Sequence, residues 1–243
     1  MPEPRTTLPA ADPALIDELV LANRILHRHK IVDAFGHISV RHDKDLGKYL
    51  MSRHLAPALV TTQDIVTFDL NSVPLDKTGI RYYSERYIHG EIYKLRPEIR
   101  SVVHCHTPQL LPFAATKVEL KPLYHISSFL GDGVAMFEIR DAGGMTDMLV
   151  RTAELGRALA TSLDPKPIVL MRGHGATIVG ISIKQAVHRS IYAAENAGLQ
   201  MQALHLGEPT YLSPEEAALA SAAVNETLFR PWALWEREIL GKD

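Results

Sequence analysis

Two histidines, His104 and His106, flank the only cysteine of the chain in SVVHCHTPQ, residues 101–109. The run before them is apolar and β-branched, which reads as a strand. Side chains alternate along a strand, so His104 and His106 share one face while Cys105 takes the other. Two imidazoles about 7 Å apart on one face can both reach a single ion at Zn–N distances of about 2.0–2.1 Å. Two hydrogen-bonded core histidines would give the same pattern, so His-x-His alone does not separate a metal pair from packing. Cys105 reads as a packing thiol, since nothing beside it in sequence would lower its pKa.

Two other positions bear on that choice. His174 lies between Gly173 and Gly175, where small neighbours let the backbone turn tightly and project the imidazole from a strand end. It is placed to be a third nitrogen ligand. Glu85, 19 residues before His104, falls at a helix start and could supply an oxygen ligand or carry protons. A surface glutamate favourable to the helix dipole would occupy the same place. Spacing leaves these readings open.

The elements that must position these residues follow from local signals. Asp12-Pro13 reads as an N-cap and first helical residue, followed by Ile16, Leu19, Val20 and Leu26 at helical spacing. HISVR (37–41), KYLMS (48–52) and DIVTFDL (64–70) read as neighbouring strands. SERYIHGEIYKLRPE carries Tyr87, Ile88, Ile92 and Leu95 at helical spacing and stops at Pro97, which places Glu85 in its first turn. Residues 101–106 are expected as strand, Thr107-Pro108 as a helix start, VAMFEI (134–139) as strand and about 145–162 as helix. IVLMRGHGATIVG, 168–180, reads as two strands about a turn that presents His174. Ser182 with Gln185, and Ser213 with Glu216, form capping boxes that open long helices. The pattern predicts one α/β domain over 1–243, with a mostly antiparallel or mixed central sheet between helices and residues 1–12 as a flexible leader.

Composition narrows the partners. The 243 residues are 46% hydrophobic, with 26 Lys and Arg against 28 Asp and Glu for a net charge of -2. No basic run would track a phosphate backbone, which argues against nucleic acid. A single cysteine excludes an internal disulfide, and the N-terminus lacks the charged and apolar blocks of a signal peptide, so a cytoplasmic setting is expected. No apolar run approaches the roughly 20 residues of a membrane span.

Taken together, SERYIHGEIYKLRPEIRSVVHCHTP and VLMRGHGATIVGISIKQA resemble the class II aldolase/adducin family, and the likeness extends over nearly the whole chain. The resemblance implies an α/β/α fold around a largely antiparallel sheet, C4 tetramers with active sites near subunit interfaces, and one divalent metal ion held by three histidines. His104 and His106 match the family's His-x-His, His174-Gly175 its His-Gly, and Glu85 its acidic residue. The adducin-like, non-catalytic branch lacks this set, so an enzyme is the expected reading. Where sugar-phosphate members place Gly-Asn, Thr-Gly and Ser-Ser pairs around a phosphate, this chain has Gly36-His37, His54-Leu55 and Tyr83-Ser84. Those changes remove hydroxyl donors and close backbone approach that a phosphate would use. In exchange they offer Arg53, His37 and His54 as donors to a carboxylate beside flat or apolar surfaces.

SRHLAP and FGHISVRH resemble the branch of the family that decarboxylates hydroxylated aromatic or pyridine dicarboxylates and ring-cleavage products. The expected activity is therefore metal-dependent, non-oxidative decarboxylation of a hydroxylated aromatic, heteroaromatic or vinylogous dicarboxylic acid. His104, His106 and His174 would hold Zn2+, Mn2+, Co2+ or Fe2+. Glu85 and His37 would serve catalysis, and Arg53, His54 and Ser84 would bind a small-molecule carboxylate substrate. The alternatives are an aldolase for a non-phosphorylated hydroxy-keto acid and, in another class, an adducin-like binding protein. Tyr124, His125, Tyr192 and Tyr211 are candidates to complete a neighbouring subunit's site, with ordinary packing as the competing role.

Overall fold

Asp12 caps the first helix by accepting the Ala14 N–H, and Pro13 occupies its first turn, so α1 runs Pro13–Arg28 as its sequence predicts. The computed structural model describes residues 10–77 and 79–241; most of the expected leader, residues 1–9, lies outside them. Three short strands follow, β1 (His37–Arg41), β2 (Lys48–Ser52) and β3 (Ile65–Asp69), the last one residue shorter at each end than its sequence pattern. Helix α2 spans Arg86–Leu95, with Glu85 at the N-cap position just before the first turn. Strand β4 (Ser101–Cys105) ends one residue before His106.

The middle of the chain departs from the sequence expectation. Thr107-Pro108 does not open a helix; Thr107 Oγ1 donates to Gln109 Oε1 at 2.7 Å, and α3 (Leu111–Ala115) starts later with Pro112 in its first turn. A 3-10 segment covers His125–Asp132, β5 is Val134–Phe137, and Ile139–Gly143 forms a short helix, α4, where strand had been expected to continue. The helix expected from 145 begins only at Ala153, where the Thr152 side chain accepts the Leu155 N–H, and α5 is Ala153–Leu163. Residues 145–151 stay irregular.

Strands β6 (Ile168–Met171) and β7 (Gly175–Gly180) enclose the turn bearing His174. The chain ends in α6 (Ile183–Leu206), α7 (Pro214–Glu226) and α8 (Phe229–Leu240). Ser213 and Glu216 form the expected reciprocal box. At α6 only half of one forms: Ser182 accepts the Gln185 N–H, while Gln185 Oε1 takes the Ile181 N–H instead.

All seven strands form one sheet in the order β3-β2-β1-β4-β7-β6-β5, antiparallel except for the parallel β5–β6 pair. Strand β4 is its middle strand. Strict alternation sends Ile38, Val40, Val103, Cys105, Ala176 and Ile178 into one core, packed against α1, α3, α6 and α8. Val102, Val169 and Val179, with Tyr49 and Phe68, enter a second core against α2 and α5. This is the α/β/α arrangement expected from the sequence, built on a mostly antiparallel sheet.

Candidate metal centre

The register brings the candidate residues to one end of the sheet. His37 at the start of β1 pairs with His104 near the end of β4, and His104 also faces Thr177 near the start of β7. His106 follows β4, and His174 stands in the turn just before β7. Two glycines make the approach possible. Gly36 turns with φ +87° where a Cβ would press on the Val32 side chain and the His104 carbonyl oxygen. At Gly175 a Cβ would collide with the Cys105 carbonyl oxygen and His106 Cδ2.

The three imidazoles converge through the same nitrogen. His106 Nε2 lies 3.0 Å from His104 Nε2 and 3.1 Å from His174 Nε2. Glu85 places Oε2 3.6 Å from His104 Nε2 and Oε1 3.6 Å from His174 Nε2. The ligand atoms of these four residues all lie within 4.8 Å of one another. His104 and Glu85 are buried, His106 and His174 half-buried.

Hydrogen bonds on the outer nitrogens test whether a cation fits. His174 Nδ1 is 2.7 Å from the Met148 carbonyl oxygen, which can only accept, so the ring proton sits on Nδ1 and Nε2 keeps its lone pair. The Thr177 hydroxyl donates to Met171 Sδ and is thereby free to accept from His104 Nδ1 at 3.2 Å, which fixes the same tautomer. Lone pairs from two fixed rings and a carboxylate facing one point repel unless a cation lies among them. The donor set suits a divalent metal ion.

Electrostatics agree. Burial, followed by the charge of neighbouring imidazoles, holds His37 and His106 below the ordinary imidazole range. Burial dominates again at His104, pushing it well down against the pull of Glu85. For Glu85 burial opposes ionisation, but the His104 and His174 imidazoles and the Val150 N–H at 2.9 Å outweigh it and bring the carboxyl to about 2. Neutral rings and an ionised carboxylate are the states that bind a metal ion. His174 is the exception: burial is outweighed there by the hydrogen bond and charge of Glu85 and by the Met148 carbonyl, which raise it above the ordinary imidazole range, so binding of a metal ion would release its proton.

The irregular stretch 145–151 explains why no helix forms there. Its Val150 N–H is spent on Glu85 and its Met148 carbonyl on His174. Met148 adopts φ +72°, a left-handed conformation uncommon outside glycine, which aims that carbonyl at the ring.

Of the other residues singled out by sequence, His37 belongs to this region: its ring centroid is 5.1 Å from that of His104. His54 connects less directly, through Tyr83, with centroid distances of 5.3 Å to Tyr83 and 4.6 Å from Tyr83 to His37. Arg53 pairs with Asp64 through Nε at 2.6 Å, and Ser84 is exposed. Tyr211 accepts from Gln200 Nε2 and Tyr192 packs at a tilt against the His188 ring, contacts made within this chain.

Sequence reasoning missed His89. It is fully buried on α2, with Nε2 2.8 Å from His37 Nδ1 and Nδ1 2.6 Å from Ser39 Oγ, and Ser39 Oγ continues to the Tyr93 hydroxyl at 2.8 Å. Burial pushes His89 down to about 3. The available signal was its spacing, four residues after Glu85, which puts both on one face of the same helix start.

The fold and the cluster together define a three-layer α/β/α protein with a candidate divalent-metal centre at the end of its middle strand. Residues 17–201 match the Class II Aldolase and Adducin N-terminal domain, and the chain belongs to that family. It is 36% identical to the decarboxylase tropJ of Talaromyces stipitatus, with 96% of each chain covered. It is 29% identical to the 3,4-dihydroxyphthalate decarboxylase of Arthrobacter keyseri over 79% of each. Among solved structures, the L-fuculose 1-phosphate aldolase of Glaciozyma antarctica superposes with a TM-score of 0.77 at 20% identity, covering 97% of this chain and 96% of that one, which supports the fold. These relationships make the chain an enzyme of the lyase class. No helix among the described residues is long and apolar enough to cross a membrane.

Proposed function

We propose that this lyase is a divalent-metal-dependent, non-oxidative decarboxylase of a hydroxylated aromatic, heteroaromatic or ring-cleavage dicarboxylic acid. The observation that carries the reading is the convergence of three Nε2 atoms and Glu85 beside a row of rings, His54, Tyr83 and His37, where sugar-phosphate members of the family present small hydroxyl residues. The decarboxylases among its relatives, the two named above included, support the reaction class.

His104, His106 and His174 would hold the ion, with Glu85 as a fourth ligand or as a mover of protons; three nitrogens and an oxygen suit Zn2+, Mn2+, Co2+ or Fe2+. When bound, the ion supplies a Lewis acid that draws electron density from an oxygen next to the departing carboxylate. The chain's own groups do the rest. Glu85, kept ionised and oriented by the Val150 N–H, accepts the proton of a substrate hydroxyl. CO2 leaves without the bonding pair, and the carbon that keeps the pair takes back the proton held by the Glu85 carboxyl. Burial keeps His37 neutral and the His89 contact occupies its Nδ1, so His37 meets the reacting group through Nε2 and orients it. Arg53, His54 and Ser84 are proposed to meet a substrate carboxylate. We take the enzyme to be cytoplasmic and, as the family resemblance implies, a homotetramer with sites near subunit interfaces.

The test is CO2 release from 3,4-dihydroxyphthalate and a panel of ortho-hydroxy aromatic and ring-cleaved dicarboxylates, beside sugar phosphates, with metal content measured on the same sample. Stoichiometric metal and chelator-sensitive CO2 release support the proposal. Pyruvate or an aldehyde without CO2 would establish the aldolase alternative, and substoichiometric metal without turnover an adducin-like binding role.

A further inference from the structure

We propose that Arg24 and Lys30 form an anion subsite beside the metal centre, holding a second carboxylate that the substrate retains after CO2 leaves; this rests on the decarboxylase reading of the same centre. A cavity of about 860 Å³ opens between the end of α1 and the segment that follows β4. That volume lies within the roughly 300–1,000 Å³ of small-molecule sites. Of the four cluster residues only His106 lines it, so the cavity reaches the centre from the side of its half-buried ligand.

The other walls have the chemistry of an aromatic acid's complement. Ile31, Val32 and Pro108 present flat apolar surface. Arg24 and Lys30 add positive charge, and among the described residues neither has a carboxylate partner. Arg24 is half-buried and donates from Nη2 only to the neutral Val60 carbonyl at 3.3 Å, which leaves its charge uncompensated. Lys30 follows the α1 cap with φ +58°, the left-handed residue that closes the helix: its N–H donates to the His27 carbonyl at 3.0 Å and the Ile31 N–H to the Leu26 carbonyl at 2.9 Å. Of the other charged groups of the cavity, Arg28 pairs with Glu238 at 2.9 Å, and Asp33, whose Oδ1 accepts the Phe35 N–H at 2.8 Å, adds one carboxylate against the two cations Arg24 and Lys30, which leaves the wall net positive. The dipole and closing turn at the end of α1 account for a cation and a left-handed residue there, but not for the cavity beside them.

Arg53, His54 and Ser84, the carboxylate contacts expected from sequence, do not line this cavity. The two assignments can therefore be separated. The test is calorimetric titration of the full chain, loaded with Zn2+, with benzoate and with phthalate, isophthalate and terephthalate. At least one dicarboxylate should bind about tenfold tighter than benzoate, the gain of one charge-assisted contact. In Arg24→Gln/Lys30→Asn that gap should fall to about threefold or less, with benzoate unchanged within about twofold; asparagine tolerates the left-handed backbone. Should the double variant not fold, Lys30→Asn alone, at an exposed position, should narrow the gap about threefold. A gap that is absent in the wild type, survives these substitutions, or collapses instead in Arg53→Gln overturns the subsite. Decarboxylation is decided separately by CO2 release, since none of these ligands carries the hydroxyl that the proposed reaction needs.

Discussion

The two faces of the central sheet are built by different rules. Toward α1, α3, α6 and α8 strands β1, β4 and β7 send small and aliphatic side chains, among them Ile38, Val40, Val103, Cys105, Ala176 and Ile178. Toward α2 and α5, alternate positions of the same strands carry His37, Ser39, Arg41, His104 and Thr177, all buried. The first face is stabilised by removal of apolar surface from water, which is insensitive to direction. The second must satisfy each buried polar atom with a partner in the right geometry. It does so in chains: His37 to His89 to Ser39 to Tyr93, His104 to Thr177 to Met171, and Arg41 to the carbonyls of Ile99, Leu46 and Tyr93. One strand therefore serves packing and chemistry at consecutive residues, because its side chains alternate.

Substitutions should divide along that line. The largest effect is expected from His106→Ala: bound metal should fall well below one ion per chain and turnover by on the order of 10³, with little change in melting of the metal-free protein, as measured by elemental analysis and thermal scans. On the apolar face, Leu26→Ala should do the reverse, costing about 2–5 kcal/mol in denaturant unfolding while metal content stays near wild type. If Leu26→Ala lost metal in its folded state, the separation of the faces would be wrong. His89→Phe tests the polar chain. Leaving His37 Nδ1 without its partner, and Ser39 Oγ with the Tyr93 hydroxyl alone, should cost about 1–3 kcal/mol and lower kcat without loss of metal. The smallest effect is expected at Cys105, whose thiol burial pushes up to about 12. Cys105→Ala should keep full turnover and lose about 1 kcal/mol, and the native thiol should resist alkylation until the protein unfolds.

Acid provides a further way to sharpen the comparison. The folded Glu85 carboxyl lies at about 2, below the 4.5 of an unperturbed glutamate. Its ionised form thus contributes stability in full above about 4.5, and that contribution is lost as pH falls toward 2. Glu85→Gln should flatten this acid limb in denaturation curves, whereas Leu26→Ala should lower stability at every pH alike.

Much of this was legible in the chain. Alternation separated Cys105 from His104 and His106 before any contact was known, and Gly173 and Gly175 marked the turn that presents His174. Asp12-Pro13 and Ser213 with Glu216 fixed two helix starts, because capping is a local bargain among neighbouring residues. The failures lie where the backbone serves a distant partner. Residues 145–151 were expected as helix, but Met148 and Val150 give their polar groups to His174 and Glu85 instead. His89 was passed over because burial and a partner 52 residues away, not its spacing, give it a role. Arg53, which the sequence assigns to a substrate carboxylate, also holds Asp64 through Nε, and Arg24 and Lys30, which the sequence did not single out, stand in the cavity beside His106.

What the sequence determined by itself is the local grammar: residue types, the period of two along β4, the caps, and the tight glycine turn, all set by interactions within a few residues. Only the tertiary structure decided that His37, Glu85, His104, His106 and His174 meet at one sheet end, which nitrogen each fixed ring offers, and which cations line the cavity. Those outcomes depend on register between strands and on hydrogen bonds across long stretches of chain, whose partners no local pattern specifies.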